Sequence, residues 1–142
     1  MFIVVDIDHT LSNAFWRDNK IGVVPWDEYY SEGKHDKPFP KMKTLINALT
    51  KNGDLVIAIT GRPEKFRGLT IDWLIKNDIL VHDLIMRPDN VFLKNWEMKV
   101  KLLTTYFNNS FDTIGFIIDD NEETILKFNE LGISTLQVRN IP

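Results

Sequence analysis

The chain of 142 residues contains no cysteine. That excludes disulfides, thiol nucleophiles and cysteine-based zinc sites, and it fits a reducing cytosol. No apolar run approaches the ~20 residues needed to span a bilayer, and the start lacks a basic-then-apolar leader. A cytoplasmic location without a membrane partner is therefore expected. Excess positive charge is also missing: 17 Lys and Arg stand against 20 Asp and Glu, for a net charge of −3. A broad cationic footprint on an extended nucleic acid duplex is excluded, because such binding rests on clustered Lys and Arg. A small phosphorylated molecule or the end of a nucleic acid strand needs only a few local cations and stays open as a partner.

The length suits one domain, 1–142, since single domains commonly run about 100–150 residues. Apolar runs alternate with amphipathic stretches, the pattern of a parallel sheet covered by helices on both faces. Strand one is read at Phe2–Val5 and strand two at Leu55–Ile59. Strand three is Leu84–Met86, strand four Ile114–Ile118 and strand five Ile133–Val138. Between them the apolar spacing predicts helices from about Pro40 to Asn52, Pro63 to Lys76, Asn95 to Phe107 and Glu122 to Leu131. The exception is 11–39, a connection far longer than the ~2–6 residues usual after a strand. It carries Trp16, Trp26, Tyr29 and Tyr30, and is read as a small flap over the end of strand one.

Strand one closes on Asp6-Ile7-Asp8-His9-Thr10, and strand four closes on Asp119-Asp120. Carboxylates at strand ends are notable because ligands of α/β proteins bind there. If the two strands are neighbours, up to four carboxylates converge, and a cation is needed to reconcile them. Magnesium suits an all-oxygen shell. Asp6 and Asp119 are the expected side-chain ligands, with the Asp8 backbone carbonyl and Asp120 completing the protein's share. Asp6 is also a competent nucleophile toward phosphorus. Asp8 is then placed to protonate the leaving group and later to deprotonate water. Thr60-Gly61-Arg62 follows strand two, where a hydroxyl and free amides at a helix start can hold an anion. A lysine is still required to offset the charge of the transferred group; of Lys99 and Lys101, at the start of the helix before strand four, Lys99 is chosen because it falls one turn after Trp96.

Taken in chain order, Asp6–Thr10, Thr60–Arg62, Lys99 and Ile118–Asn121 resemble the four signatures of the haloacid-dehalogenase-like hydrolases, most of which are magnesium-dependent phosphatases. The resemblance implies a three-layer, Rossmann-like parallel sheet of order 5-4-1-2-3, with the flap inserted after strand one. It implies an aspartyl-phosphate intermediate on Asp6, and catalytic roles for Asp8, Thr60 and Lys99. Within that superfamily, Thr60-Gly61-Arg62-Pro63, Met86-Arg87 and Ile118-Asp119-Asp120 are similar to the 3′-phosphatase domain of phage-type polynucleotide kinases. There Thr10, Gly61, Arg62 and Arg87 are expected to help hold the substrate, a nucleotide or a 3′-phosphorylated polynucleotide end. The chain has no Gly-x-x-x-x-Gly-Lys-Ser/Thr kinase loop, and His9 stands where the family most often has glycine. Sugar phosphates are the alternative substrates, and a catalytically silent phosphate- or metal-binding module is the alternative role. A phosphate-receiver module is disfavoured, because it lacks a second aspartate placed like Asp8. His35 and His82 are expected at the surface.

Overall fold

The computed structural model describes residues 1–142. Seven strands follow in chain order: β1 (Phe2–Asp6), β2 (Ser12–Asn13), β3 (Lys37–Pro38), β4 (Leu55–Pro63), β5 (Asp83–Arg87), β6 (Ile114–Asp119) and β7 (Thr135–Gln137). The helices are α1 (Trp26–Ser31), α2 (Pro40–Lys51), α3 (Arg67–Lys76), α4 (Asn95–Tyr106) and α5 (Glu122–Glu130). Short 3-10 turns occupy Phe15–Lys20, Glu32–His35 and Glu64–Phe66. Five strands form one parallel sheet in the order β5-β4-β1-β6-β7, which is the arrangement the resemblance implies. No helix is long and apolar enough to cross a membrane.

The central position of β1 explains its composition. A parallel strand covered on both faces reads as an unbroken apolar run. Ile3 and Val5 enter a core with Met42 and Ile46 of α2 and Trp73 and Leu74 of α3. Val4 points the other way, toward Leu103 of α4 and Phe128 of α5. The sheet is thus sandwiched between two helical layers. Helix α2 starts with Pro40 at its first position, where a missing N–H costs nothing. It buries Met42 and Ile46, one turn apart. The Asn121 side chain accepts from the Thr124 amide (3.0 Å) and caps α5, leaving the Asp120 carboxylate free of that task.

Two boundaries differ from the sequence reading in ways that matter. Strand two was expected to end at Ile59 and a helix to start near Pro63, yet β4 continues to Pro63 and α3 begins only at Arg67. Pro63 is extended (φ −64°, ψ 151°), and Arg87 Nε donates to the Gly61 carbonyl at 2.9 Å. These contacts hold Gly61–Pro63 straight against β5, across an irregularity between Thr60 and Pro63. Thr60 and Gly61 therefore do not sit at a helix N-terminus. The fifth strand is also shorter than expected, covering only Thr135–Gln137.

The insert is ordered by its own small sheet, in which β2 and β3 pair antiparallel (Ser12 with Pro38, Asn13 with Lys37). A buried polar knot ties it to the core. Arg17 donates to both oxygens of Asp36, from Nε at 2.9 Å and Nη2 at 2.8 Å, and to the Tyr29 carbonyl at 3.1 Å. Trp16 Nε1 donates to Asp36 Oδ1, and Trp73 Nε1 of α3 donates to the Asp36 carbonyl, both at 2.8 Å. The Arg17 and Asp36 side chains are wholly buried. Removing one partner of a buried pair leaves an uncompensated charge and typically costs about 3–5 kcal/mol. Asp36→Ala is accordingly expected to lose about that much stability, read as a lower urea midpoint. Lys34→Ala, at the neighbouring exposed position, is expected to stay within about 0.5 kcal/mol of the parent.

Candidate active site

Parallel pairing of β1 with β6 sets Val5 beside Ile118, so Asp6 and Asp119 leave the sheet together at its carboxyl edge. Both are buried. Lys99, from the second turn of α4, reaches between them: its Nζ donates to Asp6 Oδ1 at 2.7 Å and to Asp119 Oδ2 at 2.6 Å. Lys101 is exposed, so Lys99 is the lysine that faces the carboxylates. Thr10 lies under the same group, where its hydroxyl donates to Asp6 Oδ2 at 2.9 Å, with Asp120 Oδ1 at 3.4 Å. Thr10 thus orients Asp6 from below rather than opening toward the cleft.

Burial and the neighbouring Asp119 push the proton affinity of Asp6 well above the ordinary carboxylate range, against the pull of Lys99. Burial raises Asp120 as well. Burial opposes the charge on Lys99, but Asp119 and Asp6 outweigh it and hold the ammonium above the usual lysine value. One carboxylate oxygen each of Asp6, Asp119 and Asp120 falls within 4.8 Å of the others. Lys99 balances one of the three charges. The remainder, on hard oxygen donors, is the environment a divalent cation of the magnesium type requires, so the residues fit one.

Asp8 stands apart from that triad. Its carboxylate turns to Arg62, which donates from Nε to Oδ2 at 3.0 Å and from Nη2 to Oδ1 at 2.7 Å. Arg17 of the insert adds a third bond, Nη2 to Oδ1 at 2.8 Å. Burial favours the neutral acid, but Arg62 and then Arg17 prevail and hold Asp8 well below the ordinary carboxylate range. Arg62 is entirely buried, so its guanidinium serves Asp8 and the knot around Asp36. Arg17 and Asp36 escaped sequence reading. Nothing in the insert's local pattern distinguishes them: they meet each other when 11–39 closes on itself, and meet Asp8 and Arg62 when it packs on the sheet.

The remaining expected residues lie around the same edge. Thr60 is buried, and its Oγ1 accepts from the Arg62 amide at 3.2 Å. Gly61 packs so closely on Asn95 that a Cβ would come within 2.4 Å of its Oδ1. Arg87 is half-buried, and its N–H groups go to the carbonyls of Gly61, Val91 and Leu93. His9 adopts φ 65°, in the left-handed region that favours glycine. Its Nε2 lies 3.2 Å from Asp18 and its ring packs on Phe15. His35 and His82 are exposed as expected, although His82 Nδ1 also accepts from the Val56 amide. A cleft of about 800 Å³ opens above Asp6, Asp8 and Asp120. The insert forms one wall, with Trp26 and Tyr30, and the loop after β5 forms the other.

Known proteins share this fold. The structure of the Pnkp1/Rnl/Hen1 complex contains a chain 25% identical over 96% of the present one, with a TM-score of 0.80. The present chain spans only 44% of that chain's length. A hydrolase from Streptococcus pneumoniae TIGR4 has the same fold at a TM-score of 0.63 and 14% identity, covering 99% of this chain and 93% of its own. The class C acid phosphatase from Bacillus anthracis, with tungstate bound, superposes at a TM-score of 0.62 and 14% identity, covering 90% and 60%. No curated protein sequence matches. The model of the polynucleotide kinase PNKP phosphatase domain matches residues 1–141. The chain therefore belongs to this phosphatase-domain family, within the haloacid-dehalogenase-like phosphatases.

Proposed function

We propose that the protein is a magnesium-dependent phosphomonoesterase that works through a phosphoryl group carried on Asp6, and that it acts on a nucleotide or a 3′-phosphorylated polynucleotide end. The observation that carries the chemistry is the meeting of Asp6, Asp119 and Lys99 at one sheet edge, with Asp8 beside them on its arginines. Asp6, Asp119, Asp120 and the Asp8 carbonyl would hold Mg²⁺, which supplies positive charge against the phosphoryl oxygens. Family membership and the aromatic wall of the cleft support the nucleotide reading.

In the first half-reaction an oxygen of Asp6, kept ionised by Lys99 together with the cation the site would hold, attacks phosphorus, the bond to the leaving oxygen breaks, and Asp8 gives that oxygen a proton. The phosphoryl charge beside Asp8 raises its proton affinity against the two arginines, as a nearby anion does for any carboxyl group. In the second half Asp8 takes a proton from water, which attacks phosphorus and releases inorganic phosphate and free Asp6. Lys99 neutralises charge on the transferred group. The Thr60 hydroxyl, which accepts from Arg62 N–H, keeps its own proton for a phosphoryl oxygen. The bidentate Arg62 contact and the Arg17 bond keep Asp8 in one orientation through both halves.

Asp6→Asn is expected to abolish hydrolysis of p-nitrophenyl phosphate with the circular dichroism spectrum kept. Asp8→Asn is expected to release about one equivalent of nitrophenol in a burst and then turn over about 10²–10⁴-fold more slowly, because general base help is lost. Unchanged steady turnover in either variant removes that residue from its role. Chelation is expected to stop hydrolysis reversibly. Mg²⁺ is expected to raise the melting temperature of the parent but not of Asp119→Asn; an equal rise in both places the ion elsewhere. Profiling nucleoside monophosphates, 3′-phosphorylated oligonucleotides and hexose phosphates decides the substrate class, and a clear preference for hexose phosphates overturns the nucleotide reading.

A further inference from the structure

The cleft is larger than a phosphate needs, and its walls carry an unusual balance of groups. At about 800 Å³ it lies in the ~300–1,000 Å³ range of pockets that enclose a whole organic ligand. Phe92, in the loop after β5, is 89% exposed, and Trp26, at the start of α1, is 54% exposed; both line the cleft. Exposed apolar side chains grouped in a groove with a polar rim mark a surface that binds a ligand. The Trp26 ring is held in place, and the backbone that bears Phe92 is braced. Trp26 stacks on Tyr30 (5.7 Å, 26°), which packs in turn on Phe66. Arg87 Nη1 donates to the carbonyls of Val91 and Leu93, the residues on either side of Phe92, so the loop is braced where it presents that ring.

The cations of the cleft are mostly spent. Lys65 pairs with Asp27 across the mouth, and Arg87 is committed to carbonyls. Lys94 is exposed and makes no ion pair or side-chain hydrogen bond. Asp89, also in the lining, adds negative charge and accepts from the Lys65 amide. Walls like these cannot follow the backbone of a long polyanion, whose binding rests on many Lys and Arg contacts. They can hold bases, because aromatic faces stack on any base.

We infer that recognition ends within the last two or three nucleotides of a single strand, and that Trp26 and Phe92 are its specificity-determining residues, stacking on terminal bases while Lys94 meets at most one backbone phosphate. The inference rests on the nucleotide reading above and narrows it. It makes Arg87 a positioning residue for Phe92, acting through the loop.

The test measures kcat/KM on single strands of one, two, three and ten nucleotides carrying a 3′-phosphate, with p-nitrophenyl phosphate in parallel. The value is expected to rise from one to two nucleotides and to level off by three, with the same salt dependence for three as for ten. Trp26→Ala and Phe92→Ala are each expected to lose about tenfold or more on the trinucleotide, to lose clearly less on p-nitrophenyl phosphate, which offers one small ring and no second base, and to recover with Trp26→Phe or Phe92→Tyr. Turnover that keeps rising to ten nucleotides with a steepening salt dependence overturns the inference in favour of backbone contacts. Unchanged trinucleotide kinetics in both alanine variants overturn it in favour of another role for the exposed rings, such as a protein contact. Hydrolysis of hexose phosphates without that of any 3′-phosphorylated nucleotide overturns the nucleotide reading itself, and this inference with it.

Discussion

Negative charge collected at one end of β1 is the constraint around which the molecule is organised. Two unit charges about 4 Å apart at an effective dielectric near 20 interact by roughly 4 kcal/mol. Three carboxylates place oxygens within 4.8 Å of one another, and a fourth follows two residues after Asp6. The fold answers this in two separate ways. Lys99 is brought in from α4, wholly buried, to bridge Asp6 and Asp119. Asp8 is drawn aside onto two arginines. What the protein leaves uncompensated is concentrated at Asp6, Asp119 and Asp120, where an oxygen-seeking cation fits.

The separation gives carboxylates of one short segment opposite characters. Asp6 is pushed toward the neutral form by burial and by Asp119, while Asp8 is held as the anion by Arg62 and Arg17 despite burial. Strongly perturbed titratable groups cluster at functional sites. The insert is central to this division. It contributes Arg17 and Asp36, so the orientation of Asp8 depends on a segment that a sequence reading treats first as a cover. The same insert carries Trp26 into the cleft wall. One element thereby holds Asp8 beside the carboxylate cluster and forms a wall of the cleft.

Much of the fold was legible because a central parallel strand leaves little choice of residue. Ile3, Val4 and Val5 must be apolar to pack on both helical layers, so a carboxylate that ends the run stands out, and Ile114–Asp119 repeats the signal. Helix α2 was legible from Met42, Leu45, Ile46 and Leu49 at helical spacing, of which Met42 and Ile46 are buried. The run from Thr60 to Pro63 was misread because glycine and proline mark a turn in isolation. Arg87 and the Asp8–Arg62 pair instead hold that run extended. The choice between Lys99 and Lys101 had no firm local basis either. Two residues apart on a helix point about 200° from each other, and only packing shows which side meets the β1–β6 edge.

By itself, the order of residues determined which side chains end strands β1, β4 and β6, and hence where polar chemistry emerges from an apolar layer. It also determined the parallel, helix-covered sheet, because periodicity and strand composition are local properties of the chain. Only the tertiary structure decided which charges become partners. Arg17 meets Asp36 and Asp8, Arg62 crosses 54 positions to Asp8, and Lys99 crosses 93 to Asp6. An ion pair takes its strength from distance and burial, and both are set when remote segments pack, not by the spacing of residues along the chain.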